Sequence, residues 1–220
     1  MTRGLSTNMK EFFSKPYFEK WLEQAGPEIQ DWFAKETDFL EANIEPGSTV
    51  LDVGCGFGRH MAVLAVNCRA VYGIDNEYSM VRKAKDYLKV FKNTKVLAED
   101  AANTSFDDNL FDYVICMNNT FGNFLDKKEA ILNQMKRVCK KGGKIIISVY
   151  SEAALKNRIE DYKEAGLHIV KTEGGTIYTE EGLVSEQFSV ESLRDIFRKT
   201  GLFAEIKKMT PISYLCIIRN

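Results

Sequence analysis

Val50-Leu51-Asp52-Val53-Gly54-Cys55-Gly56-Phe57-Gly58-Arg59 decides the fold: a short apolar run carries an acid, gives way to three alternating glycines and leads into a helical pattern. Glycines at the carboxyl end of a strand permit a tight turn and let a ligand approach the backbone where side chains would collide. This is a ligand-cradling turn. A dinucleotide fingerprint reads GxGxxG and sets a pyrophosphate on a helix N-terminus, whereas this stretch reads GxGxG. Asp52, two residues before the first glycine, would repel a pyrophosphate and attract a cation. Both features argue against NAD.

Outward from this turn, strand-like and helix-like segments alternate. Thr49–Val53, Ala70–Ile74, Lys95–Ala98, Phe111–Met117 and Lys144–Tyr150 read as strands; Arg59–Val66, Tyr78–Phe91 and Lys127–Cys139 read as helices. Runs such as Val-Leu-Asp-Val and Ile-Ile-Ile-Ser-Val suit strands buried on both faces, so the segment predicts a parallel sheet covered by helices. Before it, Trp32 and Phe39, Phe33 and Leu40 each lie seven apart, and Met9 to Leu22 carries a similar stripe, giving a helical cap over residues 1–45. After it come a helix from about Glu152, a hairpin signal at Gly174-Gly175, a helix opened by Ser189, and two β-prone runs around Pro211. The expected fold is α/β: a Rossmann-like, seven-stranded, mostly parallel sheet with an antiparallel C-terminal hairpin. We divide a single domain over 1–220 into cap (1–45), core (46–150), β-rich insertion (151–188) and C-terminal helix and hairpin (189–220).

The core resembles the class I S-adenosylmethionine-dependent methyltransferases, whose first motif is an acid followed by x-G-x-G-x-G; Asp52 to Gly58 matches it at every specified position. The resemblance continues through Ala70-Val71-Tyr72-Gly73-Ile74-Asp75, Ala98-Glu99-Asp100-Ala101, Phe111 to Asn118 and the Gly142-Gly143 turn. It implies S-adenosyl-L-methionine as cofactor. The implied binding residues are Asp52, Gly54, Gly56 and Gly58 at the turn, Asp75 on the ribose hydroxyls, and Asp100 with Ala101 on adenine. Cys55, Asn76 and Met117 stand beside them. A carboxylate offers two acceptor oxygens to two adjacent hydroxyls, so the ribose role suits Asp75 physically.

Methyl transfer is an in-line displacement that gains mainly from alignment and exclusion of water, so the sequence names no catalytic residue. Asn118-Asn119-Thr120-Phe121 lacks the prolines of base-amine methyltransferases and is similar to the Asn-Ser-Phe element of glycine/sarcosine-type N-methyltransferases. That likeness implies an acceptor-holding role for Asn119. The Arg those enzymes place after the fifth strand aligns with about Tyr150, which disfavours glycine as substrate and makes Tyr150 a pocket candidate at the sheet's ligand-binding rim. Tyr17 is a third candidate, in an aromatic set (Phe12, Phe13, Tyr17, Trp21, Trp32) able to form a lid. Two histidines, His60 and His168, leave a histidine base without support from the pattern.

Thirty Lys and Arg against 31 Asp and Glu give a net charge of −1, so no global field draws the chain to nucleic acid. The basic run Arg82 to Lys95 alternates with Met80, Val81, Ala84, Tyr87, Leu88 and Phe91 and reads as the solvated face of a helix. No stretch is long and apolar enough to span a membrane. Five scattered cysteines without a CxxC pair suggest neither metal nor redox work, and reduced cytoplasmic thiols are expected. The expectation is a methyltransferase for a small-molecule acceptor, at nitrogen or oxygen. Its rivals are an RNA or protein methyltransferase and a noncatalytic cofactor-binding module.

Overall fold

The computed structural model of the chain describes residues 24–220. Among the described residues the first full helix, α1 (Pro27–Asn43), starts at the Gly26-Pro27 punctuation with proline at its first turn, where the missing N–H costs nothing. Ile29, Trp32, Phe33 and Leu40 recur at helical spacing and are buried, and Glu36, four residues from both Trp32 and Leu40, is buried with them. The earlier aromatic stripe, including Phe12, Phe13, Tyr17 and Trp21, lies outside the described residues.

Five strands and three α-helices follow. They comprise β1 (Thr49–Val53), α2 (Arg59–Ala65), β2 (Ala70–Asp75), α3 (Tyr78–Tyr87), β3 (Thr94–Ala98), β4 (Phe111–Cys116), α4 (Lys128–Val138) and β5 (Cys139–Tyr150). Beyond them lie α5 (Leu155–Glu164), β6 (Ile169–Glu173), β7 (Thr176–Thr179), β8 (Val184–Ser185), α6 (Val190–Lys199), β9 (Ala204–Thr210) and β10 (Ser213–Arg219). The main sheet has the order β3-β2-β1-β4-β5-β10-β9. Pairings among β1 to β5 are parallel, and β10 runs antiparallel to both β5 and β9. The strand order reverses at β1 and β4, the switch point outside whose carboxyl ends open α/β sheets bind ligands.

Period-2 alternation divides the core between the two faces of this sheet. Leu51, Val53, Val114, Ile145 and Ile147 meet α4 and α6 through Leu132, Met135, Leu193 and Phe197. On the other face Val50, Val71, Ile115 and Ile146 meet α1, α2 and α3 through Leu40, Met61, Leu64, Val81 and Ala84. By the same parity Asp52 and Ser148 belong to the α1 side. A third cluster joins Ile29, Trp32 and Phe33 to Tyr150, Tyr162, Ile177 and Leu183, which docks α1 on the insertion. Its β6-β7-β8 sheet turns at Gly174-Gly175 with Glu173 opposite Thr176, as the hairpin signal predicts.

Several boundaries differ from expectation for local reasons. β5 starts at Cys139, before the Gly142-Gly143 pair, because Cys139 already pairs with Phe111 and the glycines form an irregularity within the strand. The α3 helix stops at Tyr87, and Tyr87 leaves the buried stripe to lie edge-on against Phe57, 5.7 Å between centroids. Met80, Val81, Ala84 and Leu88 remain buried, with Arg82, Lys85 and Lys89 exposed on the opposite side. All five cysteines are buried and unpaired. Among the described residues no helix is long and apolar enough to cross a membrane.

Candidate active site

A cavity of about 490 Å³ opens at the carboxyl ends of β1, β2, β3 and β4. The glycine turn forms its floor. Gly54 has φ +71°, and a Cβ there would collide with the Thr120 Cγ2 methyl of the segment after β4. The first glycine is therefore required by the close approach of two loops at the switch point. Gly58 has a different reason: at φ +93° its Cβ would stand 2.7 Å from Leu88 Cδ1, so it lets α2 begin against α3, and it does not line the cavity.

Gly54, Cys55 and Gly56 line the cavity, together with Asp75, Asn76, Asp100, Ala101 and Met117. Asp75 is oriented by two backbone donors: Gly56 N–H reaches Oδ2 and Glu77 N–H reaches Oδ1, both at 2.9 Å. Burial raises its pKa, and those two hydrogen bonds act against the rise. Asp100 starts the short turn after β3; its Oδ1 accepts from Ala102 N–H at 2.9 Å and its Oδ2 pairs with Lys127 Nζ at 2.7 Å. Eight of the ten residues expected to hold a cofactor thus line one cavity.

Asp52 does not reach the cavity. It stands in the middle of the sheet on the α1 side, with Oδ2 lacking a partner, and burial pushes its carboxyl up to about 7 while Arg59 pulls it down and Asp75 and Glu36 add to the rise. Asn119 is also absent from the wall, because its side chain is spent internally: Nδ2 donates to Ser185 Oγ and Glu186 O, and Oδ1 accepts from Tyr150 N–H. Tyr150 is buried with its ring 4.7 Å from Trp32 and under the Arg158 guanidinium. Trp32 is accordingly core, not lid. Tyr17 lies outside the described residues.

Of the two asparagines that follow β4, Asn118 is the one that lines the cavity. Asn118 and Asn119 both have positive φ (51° and 57°), as does Leu125 (51°) on the same wall. Non-glycine residues held in this region concentrate strain at functional sites. The Oδ1 atoms of Asn118 and Asn123, both cavity-lining residues, are shut off from solvent without a hydrogen-bond partner. Tyr178, Val184 and Glu186 of the insertion complete this side, and Lys128 pairs with Glu186 at 2.5 Å.

Behind this wall lies a buried polar cluster that the sequence reading did not identify. Glu36, fully buried, accepts on Oε1 from Asn118 N–H (2.9 Å) and Ser148 Oγ, and on Oε2 from Arg59 Nη2 (2.9 Å), with His60 Nε2 at 3.2 Å. Burial acts to raise the Glu36 pKa, but the His60 contact, Arg59 and Ser148 outweigh it and hold the carboxyl low. Burial and the Arg59 charge push the His60 pKa down, against the Glu36 contact that raises it, and Arg59 Nη2 lies 2.8 Å from His60 Nε2. Arg59 and His60 both line the cavity. The other histidine, His168, is exposed and paired with Glu181 at 2.6 Å, away from it. The available signal was an acid inside an apolar helical stripe, where an unpaired charge is rarely tolerated.

A methyltransferase-domain family profile matches residues 44–201, and the chain belongs to that family. Its family and its seven-stranded sheet are those of a class I S-adenosylmethionine-dependent methyltransferase. The chain is 30% identical over 159 residues to the ubiquinone/menaquinone biosynthesis C-methyltransferase of Legionella pneumophila, covering 70% of this chain and 62% of that one. It is 29% identical over 135 residues to 2-methyl-6-phytyl-1,4-hydroquinone methyltransferase of Synechocystis sp., covering 57% and 42%. It thus spans about two fifths to three fifths of the length of these relatives. The crystal structure of 1,6-didemethyltoxoflavin-N1-methyltransferase from Burkholderia thailandensis, with 1,6-didemethyltoxoflavin and S-adenosylhomocysteine bound, has a similar fold. Its TM-score is 0.74 at 14% identity, over 100% of this chain and 90% of that one.

Proposed function

We propose that the chain transfers a methyl group from S-adenosylmethionine to a small-molecule acceptor at nitrogen or oxygen. The observation that carries this reading is that one cavity is lined both by the residues the resemblance assigns to the cofactor, Gly54, Gly56, Asp75, Asp100 and Ala101, and by Asn118, Asn123, Tyr178 and Glu186 from the segment after β4 and the insertion. The residues fit the cofactor: Asp75, fixed by Gly56 N–H and Glu77 N–H, lines the cavity with two carboxylate oxygens able to accept from adjacent hydroxyls. When bound, the cofactor supplies a methyl carbon on a positively charged sulfur.

The chain's own residues contribute position and dryness. Asp75 and the Asp100–Ala101 turn hold the nucleoside end, and the lining residues after β4 and from the insertion orient the acceptor. The Asn118 amide both donates and accepts, which suits a polar acceptor without imposing charge. Asn118 takes the acceptor-holding role that the sequence assigned to its neighbour Asn119. The volume, about 490 Å³, suits a small ligand, since such sites run roughly 300–1,000 Å³. The named activities of the relatives on hydroquinone and toxoflavin-type substrates support a small acceptor.

The test is incubation with methyl-tritiated S-adenosylmethionine and a whole-cell extract, followed by separation of small molecules from polymers. Label in the small-molecule fraction, reduced by Asn118→Ala, is the expected result. Label confined to RNA or protein would overturn the proposal.

A further inference from the structure

We infer that Glu36 is a positioning residue for the amino-acid end of the cofactor, because its two oxygens fix the two loops between which that end must lie. This rests on the reading above, in which adenine and ribose occupy the Asp100 and Asp75 side. The amino-acid chain then extends toward β4 and the start of α2, where the cavity is lined by Asn118, Arg59 and His60.

Oε1 acts on the loop after β4. Asn118 N–H donates to it at 2.9 Å and to Ser148 Oγ at 2.8 Å, and Ser148 Oγ in turn bonds Glu36. Two successive residues at positive φ begin at Asn118, and such a conformation persists only when its surroundings over-determine it. Oε2 acts on the start of α2, taking Arg59 Nη2 at 2.9 Å and lying 3.2 Å from His60 Nε2. Phe33, one helical turn before Glu36, receives the same guanidinium on its ring face at 4.8 Å. Helix α1 therefore holds Arg59 by charge and by stacking, and holds Asn118 by the other oxygen of one carboxylate. Glu36 itself does not line the cavity.

A residue of this kind discriminates between ligands that reach the two loops and ligands that stop short of them. S-adenosylhomocysteine carries the amino-acid chain; 5′-methylthioadenosine carries the adenosine and sulfur without it. Calorimetric titration of the full chain with both compares the two ends directly. Glu36→Gln is expected to weaken S-adenosylhomocysteine about tenfold or more, the scale of a lost hydrogen bond to a charged group, and to leave 5′-methylthioadenosine within about twofold. Equal weakening of both ligands, or no weakening of either, would overturn the inference and make Glu36 structural only. Ser148→Ala removes the hydroxyl shared by Glu36 and Asn118 and serves if Glu36→Gln does not fold; the same selectivity is expected at about two- to fivefold. Loss of selectivity there overturns the inference equally. Failure of the unaltered chain to bind S-adenosylhomocysteine would instead overturn the cofactor reading beneath it.

Discussion

Replacing Gly54 with alanine tests the meeting of the two loops at the switch point, and the structure supplies a partner substitution that should rescue it. The new Cβ would collide with Thr120 Cγ2, while Thr120 Cβ and Oγ1 stand at 3.4 and 3.5 Å, ordinary contact distances. Overpacking of this kind costs about 1–3 kcal/mol. The backbone, at φ +71°, adds about 1–2 kcal/mol for a residue with a Cβ. Gly54→Ala alone should therefore lose about 2–5 kcal/mol of folding stability, read by urea denaturation. Thr120→Ser deletes the colliding methyl and keeps the hydroxyl, so in its presence Gly54→Ala should cost only the backbone part, about 1–2 kcal/mol. The difference is a coupling energy, and couplings of about 1–3 kcal/mol are typical of residues in contact. Strict additivity of the two substitutions would refute the claim that Gly54 is glycine because of Thr120.

Other expectations follow from the same geometry. Asp75→Ala should weaken S-adenosylhomocysteine by about 1–3 kcal/mol in calorimetry, and unchanged affinity would remove Asp75 from the ribose role. Trp32→Ala, at a fully buried position against Tyr150, should cost about 3–5 kcal/mol in denaturant unfolding; a loss below 1 kcal/mol would mean that α1 does not dock through this ring. Asp52 has its carboxyl pushed up to about 7 from 3.8, so its charged form is disfavoured by folding, and stability falls as pH rises from about 4 to 7. Asp52→Asn should flatten that fall, worth on the order of 4 kcal/mol at most, in denaturation curves taken across this window. An equally steep fall in the variant would place the responsible group elsewhere.

The strands and the residues that line the cavity beside the glycine turn were legible because their signals are local. The β1 turn needs glycine at fixed offsets, and Asp75 and Asp100 sit where strands end, so apolar runs locate both acids. The acceptor side was less legible because it depends on geometry that changes within one residue. Asn118 and Asn119 are chemically identical, and only the successive positive φ values send the first to the cavity and the second into Ser185 and Glu186. Tyr150 follows from strand parity: with Ser148 it points toward α1, where Trp32 covers it, and not toward the rim. Glu36 was passed over because its partners, Asn118, Ser148, Arg59 and His60, come from three distant segments that only the fold assembles.

The most direct measurement is a crystal structure of the chain with S-adenosylhomocysteine bound. The account predicts adenine beside Asp100 and Ala101, ribose on Asp75, and the sulfur facing the wall of Asn118, Tyr178 and Glu186. A ligand bound elsewhere, or a sulfur turned away from that wall, would contradict it.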